Sequence, residues 1–305
     1  MAGARSIRGL GEVRLIARMA RRLRSHATVR VGIGDDAAAL QAPGNGLLLL
    51  ASDMLVEGVH FRRRQLPAAW IGWKALAVNI SDIAAMGGVP HWAVVSLGLP
   101  PATPIRFVDG LYAGLERCAR RFNMAIVGGD TVRAPQVILD VAIVGSVRPD
   151  HLMRRSGARV GDALFVTGRL GGSSRSGRHA RFAPRLREAR WLVQHARIHA
   201  MMDLSDGLAS DLWQMSRASG VTLRVEAARI PVSRAGRTLR HALMDGEDFE
   251  LLLAVDRRTA ARLPRRIGSC PLTRIGAVTT RGVDVELEHP HGRVERLRPK
   301  GFRHF

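Results

Sequence analysis

The chain has 305 residues and a mass of 33.3 kDa, and its 46% hydrophobic content is enough for two domains that each bury a core. Lys+Arg outnumber Asp+Glu by 47 to 26, a formal charge of +21, and only Lys74 and Lys300 of the basic residues are lysines. Ala75 follows one and Gly301 the other, and neither stands in a VAIK setting, which excludes a Walker A loop and the protein-kinase frame.

Along the chain, Val13, Ile16, Ala17 and Ala20 space an amphipathic first helix, despite the transit-like Arg5, Arg8 and Arg14. Thr28–Val31 reads as a short strand, Gly32–Ala37 as a turn, and Leu47–Ala51 as a buried strand running into Ser52-Asp53. Pro67 opens a helix that continues to Met86, where Gly87-Gly88 stops it. Ala93–Leu99 is a strand, Pro104–Asn123 a helix, Met124–Val127 a strand ending in Gly128-Gly129-Asp130, and Val137–Val147 an alternating strand. A boundary near Arg148–Asp150 gives an N-terminal unit over residues 1–148 and a C-terminal α/β unit over 149–305. In the second unit the expected elements are strand Ala163–Thr167, loop Gly168–Gly177, helices Phe182–His199 and Ser205–Ser219, and strands Val221–Val225, Asp248–Val255 and Val283–Glu288. This alternation predicts an α/β or α+β fold. Ile80-Ser81-Asp82-Ile83 and Leu204-Ser205-Asp206-Gly207 echo each other once per half.

Cys118 and Cys270 are far apart and make no metal pattern, as expected of a reduced, cytoplasmic protein. The longest apolar run, Leu47–Ala51, is too short to cross a bilayer. A charge of +21 invites a nucleic-acid-binding reading, but 5% aromatics and a single tyrosine, Tyr112, provide no stacking surface for single strands.

The scarce acids are the informative feature. Residues 31–60 carry Asp35, Asp36, Asp53 and Glu57 and no Lys or Arg. Asp53 and Asp130 follow strands, Asp203 follows Ala200-Met201-Met202, and Asp82 sits in a helix one turn from Asn79. Any one of them alone reads as a cap or turn residue. Converging, they suit hard divalent cations and phosphates, with the neighbouring glycines letting backbone approach. Gly32-Ile33-Gly34-Asp35-Asp36-Ala37 also fits a dinucleotide-binding fingerprint. Two carboxylates in that turn would repel a pyrophosphate, and Pro43-Gly44-Asn45-Gly46 leaves no helix to follow it.

The ordered set GIGDDAAAL (Gly32–Leu40), SDMLVEGVHF (Ser52–Phe61), KALAVNISDIAAMG (Lys74–Gly87), GGDTVR (Gly128–Arg133), Arg155-Ser156-Gly157, DLSDGLASDL (Asp203–Leu212) and GEDFEL (Gly246–Leu251) resembles the thiamine-monophosphate kinase family. So do the two ends, Gly11–Arg18 and Lys300–Phe305. The family lies in the superfamily of aminoimidazole-ribonucleotide synthetase, selenophosphate synthetase and a hydrogenase maturation protein. The resemblance spans essentially the whole chain. It implies a two-domain aminoimidazole-ribonucleotide-synthetase-like fold, with an N-terminal mixed sheet that dimerises and a C-terminal α/β domain. It also implies transfer of the γ-phosphoryl group of ATP to thiamine monophosphate, assisted by several Mg2+ ions, in a cytoplasmic homodimer with no membrane or nucleic-acid partner.

By motif position the resemblance assigns Asp36, Ser52, Asp53, Asp82, Asp130, Asp203 and Asp206 to metal, and Tyr112, Gly129, Asp130, Arg155 and Ser205 to ATP. His60, Glu247 and Phe302 are assigned to thiamine phosphate. No general base is assigned, because the acceptor is a phosphate oxygen already ionised near neutral pH. Two departures bear on a metal site and on nucleotide affinity: Gly171-Gly172-Ser173-Ser174-Arg175 lacks the family's Asp, and Ala51 replaces a common hydroxyl residue. Another ATP-using superfamily member acting on a different small acceptor is the nearest alternative. Selenophosphate synthetase calls for an early reactive cysteine, yet none precedes Cys118, and the hydrogenase maturation relative calls for a cysteine tail, yet this chain ends in His304-Phe305. A non-enzymatic nucleic-acid binder accounts for the charge but not for the acidic sites.

Overall fold

The structure, a computed structural model, describes residues 27–42 and 46–299 together with 14, 16, 17 and 20. Arg14, Ile16, Ala17 and Ala20 are helical, whereas Val13, Phe302 and the Lys300–Phe305 motif lie outside the described residues.

The first sheet contains β1 (Val29–Val31), β2 (Ala38–Gln41), β3 (Leu47–Val56), β4 (Val89–Leu99), β5 (Ala125–Arg133) and β6 (Ile138–Val147). Their order is β1-β2-β3-β6-β4-β5, antiparallel except for the β4–β5 pair. Helices α1 (Ala68–Ala85) and α2 (Ile105–Arg121) pack on each other beside it. Their backbones approach so closely that a Cβ on Gly72 would sit 2.0 Å from the Leu111 carbonyl oxygen, and one on Gly114 would sit 2.0 Å from that of Ala69.

The second sheet is built from β7 (Ala163–Thr167), β8 (Ile198–Asp203), β9 (Val221–Glu226), β10 (Leu251–Val255), β11 (Arg266–Ile267), β12 (Cys270–Arg281), β13 (Asp284–Glu288) and β14 (Val294–Arg296). Its order is β14-β13-β9-β12-β7-β10-β8, with β11 paired to β12. The helices here are α3 (Ser173–Ser176), α4 (Leu186–His195), α5 (Leu208–Ser219), α6 (Leu239–Met244) and α7 (Arg257–Ala260). β7 and β10 are buried at every residue, which explains their unbroken apolar runs. One face, with Phe165, Met201 and Leu253, joins the core under the first sheet. The other, with Val166, Met202 and Leu252, packs with α5 in a core of its own.

Several boundaries differ from the sequence reading. β3 continues through Asp53 to Val56, and β5 runs through Gly128-Gly129-Asp130 to Arg133, so Asp53 and Asp130 are mid-strand rather than strand-end residues. Helix α4 stops at His195; Ala196 is already extended, and Ile198–Asp203 becomes β8 because β10 offers it an apolar partner strand. Asp248–Glu250 lie before β10, and the Ser205 helix begins only at Leu208. After the Gly32–Ala37 turn comes strand β2 and not a helix, as rejection of the dinucleotide fingerprint requires.

Candidate functional site

Helix α1 is apolar nearly all round and sits between the two sheets, touching β3 and β6 on one side and β8 and α4 on the other. Its polar residues, Lys74, Asn79, Ser81 and Asp82, therefore face the junction of the two halves. Pairing of β2 with β3 ends at Leu50; beyond it the Asn79 side-chain oxygen accepts the Asp53 backbone N–H at 3.1 Å, and its amide donates to the Ala75 carbonyl at 3.0 Å. Asn79 thus closes the free edge of β3 where Asp53 meets Asp82.

Asp36 from the first turn, Asp82 from α1 and Asp203 from the end of β8 converge, with one carboxylate oxygen of each within 4.8 Å of the others. Asp53 adjoins them through a hydrogen bond with Asp82. Burial pushes the Asp203 carboxyl up to about 8, aided by the Asp36 charge, although Ser81 Oγ donates to Asp203 Oδ2 at 2.6 Å. Burial likewise raises Asp53 to about 6, with the Asp140 and Asp36 charges adding to it, and lifts Asp82 and Asp36 above the usual carboxylate range. Asp35 also rises to about 6, chiefly by burial and then by the Asp36 charge.

One cation enters this cluster. Arg155 donates from Nη2 to Asp36 Oδ1 at 2.7 Å and from Nη1 to Gln214 Oε1 at 2.7 Å, while its backbone N–H donates to Asp35 Oδ1 at 3.0 Å. Gln214 in turn donates to Asp206 Oδ2 at 3.2 Å and Asp211 Oδ1 at 3.3 Å, tying Arg155 to α5. Asp36 Oδ2 is buried without a hydrogen-bond partner. A cavity of about 860 Å3 opens over the cluster and also takes in Ser205, Asp206, His60 and Glu247.

Glu247 lies on a segment held in an unusual shape. Glu247 and Phe249 adopt left-handed backbone angles, φ 63° and 48°. The Gly171 N–H donates to Asp248 Oδ2 at 2.7 Å and the Gly172 N–H to Asp245 Oδ2 at 2.8 Å. Glu250 is buried and receives Arg178 and Arg185. The Gly171-Gly172 pair therefore clamps the Gly246–Leu251 motif. His60 lies at the cavity, with its Nδ1 accepting the Val56 N–H at 3.0 Å.

The remaining assigned residues are not among the converging carboxylates, although Ser52 lines the same cavity. Ser52 is on the opposite face of β3 from Asp53, where its Oγ donates to Asp140 Oδ1 at 2.9 Å. Cross-strand pairing carries this polar row from Asp140 to Ser96 and on to Asp130, which is exposed on edge strand β5. Gly129 lies beside it, so close to β4 that a Cβ would sit 1.9 Å from the Val95 carbonyl oxygen. Tyr112 is 41% exposed on α2 and does not line the cavity. Lys74, His179, Ser81 and Gln214 are site residues that sequence reasoning misses; Lys74 carries a signal as one of two lysines in an arginine-dominated chain, and Ser81 as part of the Ile80-Ser81-Asp82-Ile83 echo.

The AIR synthase related protein N-terminal domain pattern matches residues 34–147, and the corresponding C-terminal domain pattern matches 159–288. The chain is 38% identical to the thiamine-monophosphate kinase of Rhodopirellula baltica over 96% of its own length and 97% of that protein's. It is 33% identical to that of Bacillus subtilis, covering 97% and 100% of the two chains. Among solved structures, AaThiL complexed with AMPPCP and TMP is similar over 100% of both chains, at 30% identity and a TM-score of 0.87.

Proposed function

The chain belongs to the thiamine-monophosphate kinase family of AIR synthase related proteins, and we infer that its inter-sheet site transfers the γ-phosphoryl group of ATP to thiamine monophosphate, giving thiamine diphosphate and ADP. The observation that carries this reading is one cavity lined by the carboxylate cluster, Arg155, His60 and Glu247. Its mix of metal-ligating carboxylates and cationic and polar groups suits phosphate-bearing substrates.

The donor set fits magnesium. Asp36, Asp82 and Asp203 offer hard oxygen ligands on rigid elements, and the unpartnered Asp36 Oδ2 is the kind of atom an ion satisfies. We assign these three with Asp53 as the principal metal ligands, and Asp206, Ser52 and Asp130 as further ones. Mg2+ bound there supplies the positive charge that offsets repulsion between the two polyanions. The chain's own residues do the rest. Arg155 and Ser205 hold the nucleotide phosphates, with Gly129 and Tyr112 as further ATP contacts; His60, Glu247 and Phe302 hold the acceptor. The acceptor oxygen carries its own charge, so no side chain needs to remove a proton.

We further propose a homodimer through the outer face of the first sheet, where Leu50, Met54, Trp92, Val94, Val127 and Val132 are exposed together. The two free, buried cysteines agree with the cytoplasm as its compartment. No described helix is long and apolar enough to cross a membrane. The direct test is product formation: protein, ATP, Mg2+ and thiamine monophosphate must yield thiamine diphosphate and ADP in equal amounts. With free thiamine, which offers a neutral hydroxyl, little ADP is expected. ADP release without thiamine diphosphate would remove the assignment.

A further inference from the structure

Lys74 is fully buried, although a lysine is among the side chains least often buried without a partner. It points from α1 into the junction of the two halves, where its Nζ donates to the His60 carbonyl at 2.8 Å and to Glu247 Oε1. His179 Nδ1 lies 3.1 Å from the same Nζ and 3.0 Å from the other Glu247 oxygen, Oε2. Both oxygens of Glu247 are thus engaged by groups from two separate segments, α1 and the turn at Arg178–Ala180. Glu247 itself remains 28% exposed and lines the cavity, with its backbone in the left-handed region. A buried cation beneath a carboxylate that faces a cavity fixes both the charge and the aim of that carboxylate. The fold thus keeps a buried lysine, a costly residue, at the one place where it can do this.

Asp82 lies on the same helix eight residues after Lys74, a rise of roughly 12 Å. The acceptor molecule carries a cationic thiazolium ring and a phosphate joined by a two-carbon linker.

We propose that Lys74, together with His179, is a positioning residue for the acceptor: it fixes the Glu247 carboxylate against the cationic ring, and α1 sets the separation between that contact and the metal-binding carboxylates around Asp82. This rests on the functional reading above and adds the determinant of selectivity for a cationic acceptor. Glu247→Gln leaves the buried Lys74 charge without its carboxylate, whereas a Lys74→Met/Glu247→Gln double variant does not.

The test compares wild type, Lys74→Met, His179→Ala, Glu247→Gln and the double variant. Each is titrated calorimetrically with thiamine monophosphate, with its thiophene analogue lacking the ring charge, and with a non-hydrolysable ATP analogue plus Mg2+. Lys74→Met frees Glu247 to turn from the ring, and loss of that charge-assisted contact predicts a ~10- to 100-fold weaker affinity for thiamine monophosphate, with ATP-analogue affinity held within about twofold. Preference for the cationic acceptor over the thiophene analogue should fall in Lys74→Met and Glu247→Gln alike, and the double variant should bind no worse than Glu247→Gln. KM for thiamine monophosphate should rise more than kcat falls. Equal loss of both substrates, or multiplied losses in the double variant, overturns the proposal. If Lys74→Met does not fold, His179→Ala reads the same contact from the other side, and unchanged ring discrimination there overturns it too. A wild-type protein that makes no thiamine diphosphate would instead overturn the functional reading.

Discussion

Arg155 and Asp36, which motif position assigns to nucleotide and to metal respectively, form a single ion pair at 2.7 Å with both side chains largely buried. The guanidinium holds one oxygen of Asp36, leaving Oδ2 as the buried atom without a partner. In this arrangement the arginine acts as an internal cation that partly offsets the burial raising the carboxyls of the cluster. We propose that occupation of the cluster by a divalent ion and engagement of Arg155 by a nucleotide phosphate are linked through this pair.

That linkage predicts opposite effects from one substitution. Arg155→Ala removes a charge-assisted phosphate contact, and ATP-analogue affinity in the presence of Mg2+ should fall ~10- to 100-fold. Mg2+ titrated alone should bind at least as tightly as to wild type, because removing the guanidinium takes a positive charge away from beside the carboxylates. Without metal the variant should lose about 3 kcal/mol of stability, as expected when one member of a buried pair is removed. Calorimetry with each ligand checks both signs, and parallel loss of Mg2+ and ATP would contradict the linkage.

The carboxylate cluster also sets the direction of the pH dependence. Asp53 titrates at about 6 and Asp203 at about 8 in the metal-free fold, both above the ordinary 3.8 and both chiefly through burial. A carboxyl raised on folding contributes stability that is complete below about pH 4 and is lost as pH climbs through its folded value. Chelator-treated protein should therefore melt at progressively lower temperature between about pH 5 and 8.5. Mg2+ stabilises the ionised carboxylates, so the gain in Tm on adding it should be larger at about pH 8.5 than at about pH 6. An equal gain at both values would remove the cluster from the metal site.

Asp53→Asn keeps the shape of the side chain and removes one of the mutually repelling charges beside Asp82. Its metal-free Tm should equal or exceed that of wild type, while turnover is lost. Asp130→Asn, on an exposed strand, should leave Tm unchanged and also suppress turnover, since the Ser52–Asp140–Ser96–Asp130 row runs across the sheet from the site. Normal turnover of Asp130→Asn at limiting Mg2+ would confine the metal site to the inner cluster.

How much of this was legible in the sequence differs from element to element. The unbroken apolar runs of β7 and β10 and the Pro67 and Gly87-Gly88 brackets of α1 gave clear signals, because burial on both faces leaves no polar interruption. β3 reads too short in the sequence, because polar Ser52 and Asp53 interrupt an apolar run that Met54-Leu55-Val56 resumes. β12, the longest strand, places Thr, Arg and Gly among its apolar residues and carried no readable period. The carboxylates were recognisable as a set by their scarcity. The Lys74–His179–Glu247 contact was not, since it joins residues 105 and 173 positions apart and exists only through tertiary packing.

The glycine pair in the divergent loop offers a last test, this time of how the acceptor side is held. Gly171 and Gly172 adopt left-handed backbone angles, φ 85° and 73°, and a Cβ on Gly172 would sit 2.3 Å from the Ala235 carbonyl carbon. Their N–H groups satisfy Asp248 and Asp245, and through them hold the strained Glu247 between two anchored neighbours. Burial raises the Asp248 carboxyl to about 7, against the Gly171 N–H, so this clamp operates in a poorly solvated place. Gly172→Ala must shift the loop, and through the Asp245 tether it shifts Glu247. KM for thiamine monophosphate should rise on the order of tenfold, with the ATP-analogue affinity and the Mg2+-dependent gain in Tm preserved. Asp245→Asn weakens the same tether without adding a Cβ, and a smaller change in the same direction is expected. Were both variants to lose ATP and thiamine monophosphate equally, the loop would be supporting the whole fold rather than positioning Glu247.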